Sequence, residues 1–476
     1  MRRRQALVLV LAGGLALVAT SAAAQSLSTP TAALTARPGR MAEPAIAVDP
    51  RNPDRIAAAA DPYLNPTRII VTLSEDAGIT WSTPLTLIPD GFAKSYDPVL
   101  QFDVNGDLLV VGGAAGVGQP HCQPNSAIFL AKVSAAAATY RLARDARSDG
   151  AFVDRPGFVF DRRTRRSFVS WTESSGPGAA CRGLPIASST MLSRSSRDGV
   201  FEPPQLVPTS GLPAAFGSAL ATDRNGNLVV ATSEHDPGKR SRLTLNTLGA
   251  TNKFGTPTVI SDAPDVPFRL RGLGGLFAPI PSLALAPNGR VAVGYMRPSP
   301  AGVAPVVLLQ TPGGPWTEIT PSTAAGTTDL FPQLTFDGAN RLWLLSGQLR
   351  DRSLQFNLRS RTENIWAEPT VVASGPGDRY LELGEGLGLS YAAGRLAVAV
   401  PTDRAADSAL LVTSLSTDPP PATTTTPPTT DATVTNAGSR RSPLSAVALG
   451  VIGAAALLIT GARARRGIRR ARRRRT

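Results

Sequence analysis

Ser74-Glu75-Asp76-Ala77-Gly78-Ile79-Thr80-Trp81 carries the residues of a turn that satisfies its own backbone. The hydroxyls of Ser74 and Thr80 and the carboxylate of Asp76 can take up nearby N–H groups, and Gly78 can adopt the positive φ that a tight reversal demands. Trp81 is expected to drop into the core and pin the turn to a sheet. The stretch therefore reads as a hairpin turn leading into a strand, and strand units of one kind recur on both sides of it.

The recurring signal is an apolar strand that opens on Pro, with Asp five residues later. Pro44 leads to Asp49, Pro98 to Asp103, Pro156 to Asp161 and Pro332 to Asp337, while Ser218 leads to Asp223. Pro281 and Gly386 keep the spacing without the Asp, and the successive intervals are 54, 58, 62, 63, 51 and 54 residues. A second strand follows each turn, as in Leu108-Leu109-Val110-Val111, and then a third, as in Ile128-Phe129-Leu130. Each unit closes on an aromatic and a Pro-containing segment such as Trp81-Ser82-Thr83-Pro84 or Trp366-Ala367-Glu368-Pro369, the mark of an outer edge strand. Six units have four strands and a seventh, Leu387 to Ser416, has three. Leu27 to Leu34 is expected to supply the missing strand, because Ser28-Thr29-Pro30 copies Ser82-Thr83-Pro84. The fold expected is all-β, a seven-bladed β-propeller closed by an N-terminal strand, with one C-terminal transmembrane helix.

Ser74 to Trp81 matches the pattern Ser-x-Asp-x-Gly-x-Thr-Trp, so it resembles the Asp box, or BNR repeat, of sialidase-like β-propellers. The resemblance covers residues 26 to 416. It implies that Ser74, Asp76, Gly78, Thr80 and Trp81 are structural, and it leaves the chemistry open, since such propellers include glycosidases, sugar binders and receptor ectodomains. A degenerate copy stands at Ser196-Arg197-Asp198-Gly199-Val200-Phe201, and the Phe-Arg-Ile-Pro motif that opens sialidase domains is absent.

A formal net charge of +14 suggests a polyanion partner until it is located. Arg2, Arg3 and Arg4, then Arg440 and Arg441, then nine arginines between Arg463 and Arg475 account for all fourteen. Residues 25 to 439 are close to neutral, so no nucleic-acid partner is expected for the folded part. The basicity fits membrane topology instead. Residues 1–24 have the layout of a cleavable export signal, with an Arg-rich start, an apolar run and the small-residue end Ala22-Ala23-Ala24. Residues 417–443 form a Thr/Pro-rich stalk with nothing to bury. Leu444 to Ala462 is an uncharged stretch of membrane-spanning length, and the Arg-rich tail at 463–476 places the C-terminus in the cytoplasm, against membrane lipid, with the propeller (25–416) outside at the cell surface.

Candidate site residues come from positions rather than from a catalytic motif. Cys122 and Cys181 fall in second-to-third loops of neighbouring units, and a disulfide is the simplest use of two cysteines in an exported domain. Two cysteines and two histidines give no metal-ligand spacing, and no metal or cofactor is expected. The residues just before each innermost strand, Glu43, Asp97, Arg155, Gly217, Ile280, Phe331 and Glu385, should ring the mouth of a central channel. Glu385, Glu43, Asp97 and Arg155 then make a charged arc opposite an apolar one. Its carboxylates could act as acid and base on a glycosidic bond, hold a cation, or form only a solvated rim. Arg297, Arg350, Arg379, Tyr380 and Glu382 lie on loops of the same face. The resemblance implies an arginine triad for a substrate carboxylate and a Tyr nucleophile assisted by Glu in sialidases, which these residues echo by type. The function expected is binding of an extracellular glycan or protein ligand through the loop face. A sialidase-type exo-glycoside hydrolase and an envelope assembly or structural factor are the alternatives.

Overall fold

The computed structural model describes residues 27–417, apart from 37–40, 63–66, 117–125, 135–136, 148–150, 175–186, 237, 265–279, 300–301, 323–326, 351–352, 377–385 and 405–406. The export signal, the stalk beyond Thr417, the expected span and the tail lie outside the described residues, as do Cys122, Cys181, Arg379, Tyr380, Glu382 and Glu385.

All the described elements are strands. After β1 (Thr31–Ala36), blade one is β2 to β5 (Met41–Val48, Ile56–Pro62, Ile69–Ser74, Leu85–Leu87). Blade two is β6 to β9 (Lys94–Phe102, Leu108–Ala115, Ser126–Val133, Ala138–Asp145). Blade three is β10 to β13 (Phe152–Asp161, Arg166–Ser174, Ser189–Arg194, Gln205–Leu206), and blade four is β14 to β17 (Ala214–Thr222, Leu228–Asp236, Arg240–Leu248, Thr258–Ala263). Blade five is β18 to β21 (Ser282–Leu285, Val291–Ser299, Gly302–Gln310, Trp316–Glu318). Blade six is β22 to β25 (Thr327–Phe336, Leu342–Arg350, Ser353–Thr362, Ile365–Trp366), with β26 (Thr370–Pro376) on the same outer edge. Blade seven has β27 to β29 (Gly388–Ala392, Arg395–Arg404, Asp407–Ser416) in order from the axis, and β1 pairs antiparallel with β29. The chain is thus a seven-bladed β-propeller.

Seven apolar clusters lie one between each pair of adjacent blades, including Met41, Ile46, Ile56, Ala399 and Val412 between blades seven and one. Small side chains let the inner strands approach closely, as in Ala57 to Ala60 of β3, all fully buried. At Gly113 of β7 a Cβ would sit 2.3 Å from the ring of Tyr96, which lies across it, so the missing side chain is what makes room for the tyrosine.

The Asp five residues into each unit is a turn device. Asp103 Oδ1 accepts the N–H groups of Asn105 and Asp107 at 2.7 and 2.9 Å, Asp223 those of Asn225 and Asn227 at 2.8 Å each, and Asp337 those of Ala339 and Arg341 at 3.0 and 2.8 Å. The carboxylate satisfies the two donors that the reversal between first and second strands strands from the ladder. In blade five Asn288 takes part of this role, accepting from Arg290 N at 3.2 Å.

The turn at Ser74 to Trp81 follows the same logic. Asp76 Oδ1 accepts from Ser74 Oγ, Ile79 N and Thr80 N at 2.8, 3.1 and 2.8 Å, and Asp76 Oδ2 from Thr80 Oγ1 at 2.6 Å. Bonds from the Thr80 hydroxyl and N–H, then from Ser74, hold its carboxyl down at about 2. Gly78, at φ +92°, donates to Ser74 Oγ at 2.8 Å. The turn also reaches out of its blade. Thr31 Oγ1 of β1 donates to Gly78 O at 2.5 Å and accepts from Trp81 Nε1 at 3.0 Å, and Ser414 Oγ of β29 donates to Ala77 O at 3.0 Å. Trp81 is half-buried, packed against the cluster between blades seven and one.

Two expected boundaries move. The leading strand is Thr31–Ala36, not Leu27 to Leu34, although Ser28 still donates from N to Ser414 O at 2.8 Å. The aromatic-to-Pro segments precede the outer strands instead of forming them: β5, β13, β17 and β26 all begin just after a proline or its neighbour. The residue after each aromatic, Ser82, Glu202, Gly255 and Ala367, donates one N–H to the third strand at 2.7 to 3.0 Å. Lacking an N–H, proline then interrupts the ladder until the chain resumes beyond it.

The Asp337 carboxylate is fully buried and also accepts Arg341 Nε at 2.7 Å and Trp343 Nε1 at 2.9 Å. Asp337→Ala removes the acceptor of Arg341 Nε, of the Trp343 indole and of two backbone N–H groups, so it should lower the unfolding free energy by about 3–5 kcal/mol. Urea titration of the full chain checks this, and an unchanged midpoint would remove the turn carboxylates as determinants of the fold.

Candidate functional site

The innermost strand of five blades carries the same irregularity at its head. The ladders of β2, β6, β10, β14 and β22 each skip at one place, between Ala42 and Ala45, Tyr96 and Val99, Asp154 and Gly157, Ala215 and Ser218, and Leu330 and Gln333. Two residues there oppose one on the partner strand, the pattern of a β-bulge. At these bulges Glu43, Asp97, Arg155, Gly217 and Phe331 take φ of +47°, +53°, +52°, +70° and +53°. A left-handed backbone costs about 1–2 kcal/mol for a residue with a Cβ. In four of the five the next residue is Pro (Pro44, Pro98, Pro156, Pro332), which has no N–H to lose at an unpaired position.

The bulges face a central cavity of about 970 Å³ lined by the inner strands, with Glu43, Asp97 and Arg155 at the end opposite the Asp turns. Arg155 of blade three reaches past blade two: its Nη1 lies 3.2 Å from Glu43 Oε1 and 3.6 Å from Asp97 Oδ1. All three are largely buried, at 18, 12 and 15 % side-chain exposure, so this is a shielded ion-pair network and not a solvated rim. Ile280 and Phe331, both half-buried, stand at the corresponding places in blades five and six.

Two further acids join the network. Asp61, 3 % exposed, lies opposite Ala42 in the ladder of β3, and burial, then the neighbouring Glu43 and Asp97 charges, push its carboxyl well above the ordinary range against the pull of Arg155. Its Oδ1 has no hydrogen-bond partner among the described residues. Asp154, beside Arg155, is pushed up to about 8 by burial and then by the neighbouring Asp97 charge. Tyr96 donates its hydroxyl to Val153 O at 3.2 Å, and burial with the Asp154 and Asp97 charges raises its phenol. Near pH 7, then, Asp154 holds its proton, while the Arg155 guanidinium lies against Glu43 and Asp97.

Of the residues singled out from sequence, the structure brings together Glu43, Asp97 and Arg155. Arg297, at the end of β19 in blade five, is paired with Glu318 at 3.0 Å, and Arg350 is exposed at the end of β23 in blade six. No group of three or more metal-ligating side chains is arranged around a cation position among the described residues. Asp61, Asp154 and Tyr96 were missed. Asp154 and Tyr96 directly precede bulge residues, which is the only sequence signal for them; Asp61 has none, because its place depends on the pairing of β2 with β3.

No protein-family model and no curated protein matches the chain. Among solved structures it is similar to a protein of unknown function from Dyadobacter fermentans, with a TM-score of 0.50, 13 % identity, and 83 % of this chain and 99 % of that one covered. It is also similar to the BP39L lectin from Burkholderia pseudomallei (TM-score 0.49, 15 % identity, 76 and 92 % covered) and to a Hadza microbial sialidase (0.46, 14 %, 75 and 73 %). At these identities the likeness concerns the fold. With its ring of seven sheets and the hydrogen-bonded turn at Ser74 to Trp81, the chain is a seven-bladed β-propeller.

The raised carboxyls make stability depend on pH. Asp154 keeps its proton in the folded state up to about 8, whereas unfolded it ionises in the ordinary carboxylate range. Between those limits the folded state binds more protons, so stability falls as pH rises and levels off above about 8. Melting temperature measured across this window should decline, and Asp154→Asn should flatten the decline. A parent and variant with parallel profiles would show that Asp154 is not held protonated.

Proposed function

We propose that this chain is a membrane-anchored extracellular propeller that binds a glycan or protein ligand at the mouth of its central channel. The observation that carries the reading is the convergence of Glu43, Asp97 and Arg155, on backbone held left-handed, with the half-buried Ile280 and Phe331 at the corresponding places of blades five and six. Preorganised acceptors on one side of a channel and apolar side chains on another suit the polar edge and apolar face of a sugar ring, or a peptide bearing donors. Glu43 and Asp97 outnumber the one arginine that lies between them, which favours a neutral or donor-rich ligand over an acidic one.

Hydrolysis of a glycosidic bond is the second reading, favoured by an Asp154 that burial and the Asp97 charge keep protonated, as a general acid requires. The sialidase form also needs arginines open to a substrate carboxylate, and Arg155 and Arg297 are both in ion pairs.

Anchorage completes the proposal. Residues 1–24 direct export, 417–443 form a stalk, 444–462 span the membrane, and Cys122 and Cys181 form a disulfide on the loop face. Thr417, the last described residue, donates to Gly394 O at 2.8 Å, in the turn between β27 and β28. That turn belongs to the face opposite the mouth. We also assign to β1 the closing of the ring; its pairing with β29 and the bonds of Thr31 to Trp81 and Gly78 support this.

On a glycan array the detergent-solubilised full chain should bind without turning over aryl glycosides, and Arg155→Gln or Glu43→Gln should weaken binding about tenfold or more. Release of a fluorophore from an aryl sialoside, abolished by Asp97→Asn, would replace binding with catalysis. Deleting residues 26–36 should lower the melting temperature of the whole propeller; an unchanged melt would mean that blade seven does without its fourth strand.

A further inference from the structure

The near-neutral charge of the propeller conceals an uneven distribution on the face that carries the Asp turns. In blade one the turn holds Asp49, Arg51, Asp54 and Arg55, which balance, and in blade six Asp337 and Arg341 balance likewise. In blade two Asp107 is paired with Lys132 of β8 at 2.5 Å. Blade three stands apart: Asp161-Arg162-Arg163-Thr164-Arg165-Arg166 carries four arginines against one aspartate, and that aspartate is buried, accepting Arg163 N at 3.0 Å. Arg197 in the next turn of the same blade and Arg224 in the neighbouring blade extend the patch. Arg163 lies over blade four's turn, its guanidinium carbon 3.5 Å from where a Cβ on Gly226 would be.

These arginines are also used differently from others on the same face. Arg55, Arg341 and Arg395 are tied to Glu75, Asp337 and Asp54 at 3.0, 2.7 and 2.6 Å. Among the described residues, Arg163, Arg165, Arg166, Arg197 and Arg224 make no ion pair, and all but the half-buried Arg166 are exposed. Beside them the turn tip of blade three exposes Val200 (59 %), and the equivalent tips of blades one and six expose Ile79 (68 %) and Ile365 (75 %). Uncompensated guanidinium groups flanked by bare aliphatic tips are what an anionic bilayer surface accommodates, the cations at the headgroups and the aliphatic side chains at the acyl boundary. Thr417 leaves the propeller on this face as well.

We infer that the Asp-turn face, led by Arg163, Arg165, Arg166 and Arg224 with Val200, docks on the surface of an anionic membrane. The inference rests in part on the proposed anchor, which would keep this face near the bilayer. Docking would hold the propeller down on the surface with its mouth pointing outward.

The test uses the full chain in nanodiscs, with a donor dye on Val200→Cys, the parent chain as labelling control, and an acceptor on lipid headgroups. Energy transfer should be higher in phosphatidylcholine discs containing about 30 % phosphatidylglycerol than in phosphatidylcholine alone. The increment should vanish in high salt and when Arg163, Arg165, Arg166 and Arg224 are all changed to Gln. Equal transfer in both discs overturns docking, and a patch that instead binds dextran sulfate in an arginine-dependent way belongs to a soluble polyanion. Co-flotation of the parent chain with neutral vesicles reports the anchor separately: a chain that does not float with them, yet binds anionic vesicles through the same arginines, refutes the anchor and keeps the docking.

Discussion

A left-handed residue at the head of the inner strand is the constraint on which the site depends. The strand has to pass from the blade-to-blade connection into a ladder packed around the axis, and one extra residue is absorbed there at positive φ in five blades. Proline at the bulge removes the donor that would otherwise be orphaned, so the irregularity costs backbone strain but no ladder bond. Because the device repeats with the blades, its side chains assemble around the channel without any long loop to position them. What each blade places there then decides the chemistry: acids and an arginine in blades one to three, glycine in blade four, an apolar side chain in blade six.

Side-chain oxygens bonded to backbone N–H groups perform the other recurrent task. The Asp turns satisfy donors within a hairpin, and serines do so between blades, as where Ile69 N donates to Ser95 Oγ at 2.8 Å and Leu334 N to Ser282 Oγ at 2.9 Å. At the junction of blades seven and one the turn beginning at Ser74 combines both roles. Its Asp76 and Ser74 satisfy the turn itself, and its outward carbonyls accept from Ser414 and Thr31 of the last blade. A motif that is local in sequence thereby joins the two ends of the propeller.

The two faces differ electrostatically for reasons of burial more than of composition. At the mouth, acids are crowded around one arginine and shielded from water, so their carboxyls are pushed up and Asp154 keeps its proton. On the opposite face the blade-three arginines stand in water, where unpaired charge costs little and remains available to a partner. A sum over residues 25 to 439 cannot register either situation.

Periodic, local features were legible in the residues. The Pro-to-Asp spacing gave the number of blades, because each Asp turn is built within five residues, and the turn beginning at Ser74 could be read bond by bond from its side chains. Glu43, Asp97 and Arg155 could be grouped because they hold one position in successive repeats. The outer strands were read too early, since the aromatic residue that is conspicuous in sequence packs beside the ladder and proline delays its resumption. Only the tertiary structure decided that Asp61 and Asp154 belong with Arg155, that Arg155 spans two blades to reach Glu43, and that the blade-three arginines lack the carboxylates their counterparts have. Hydrogen bonding within a turn is a property of adjacent residues. Desolvation and the sharing of charge between blades depend on how the ring brings distant segments together, and nothing in their local sequence encodes that distance.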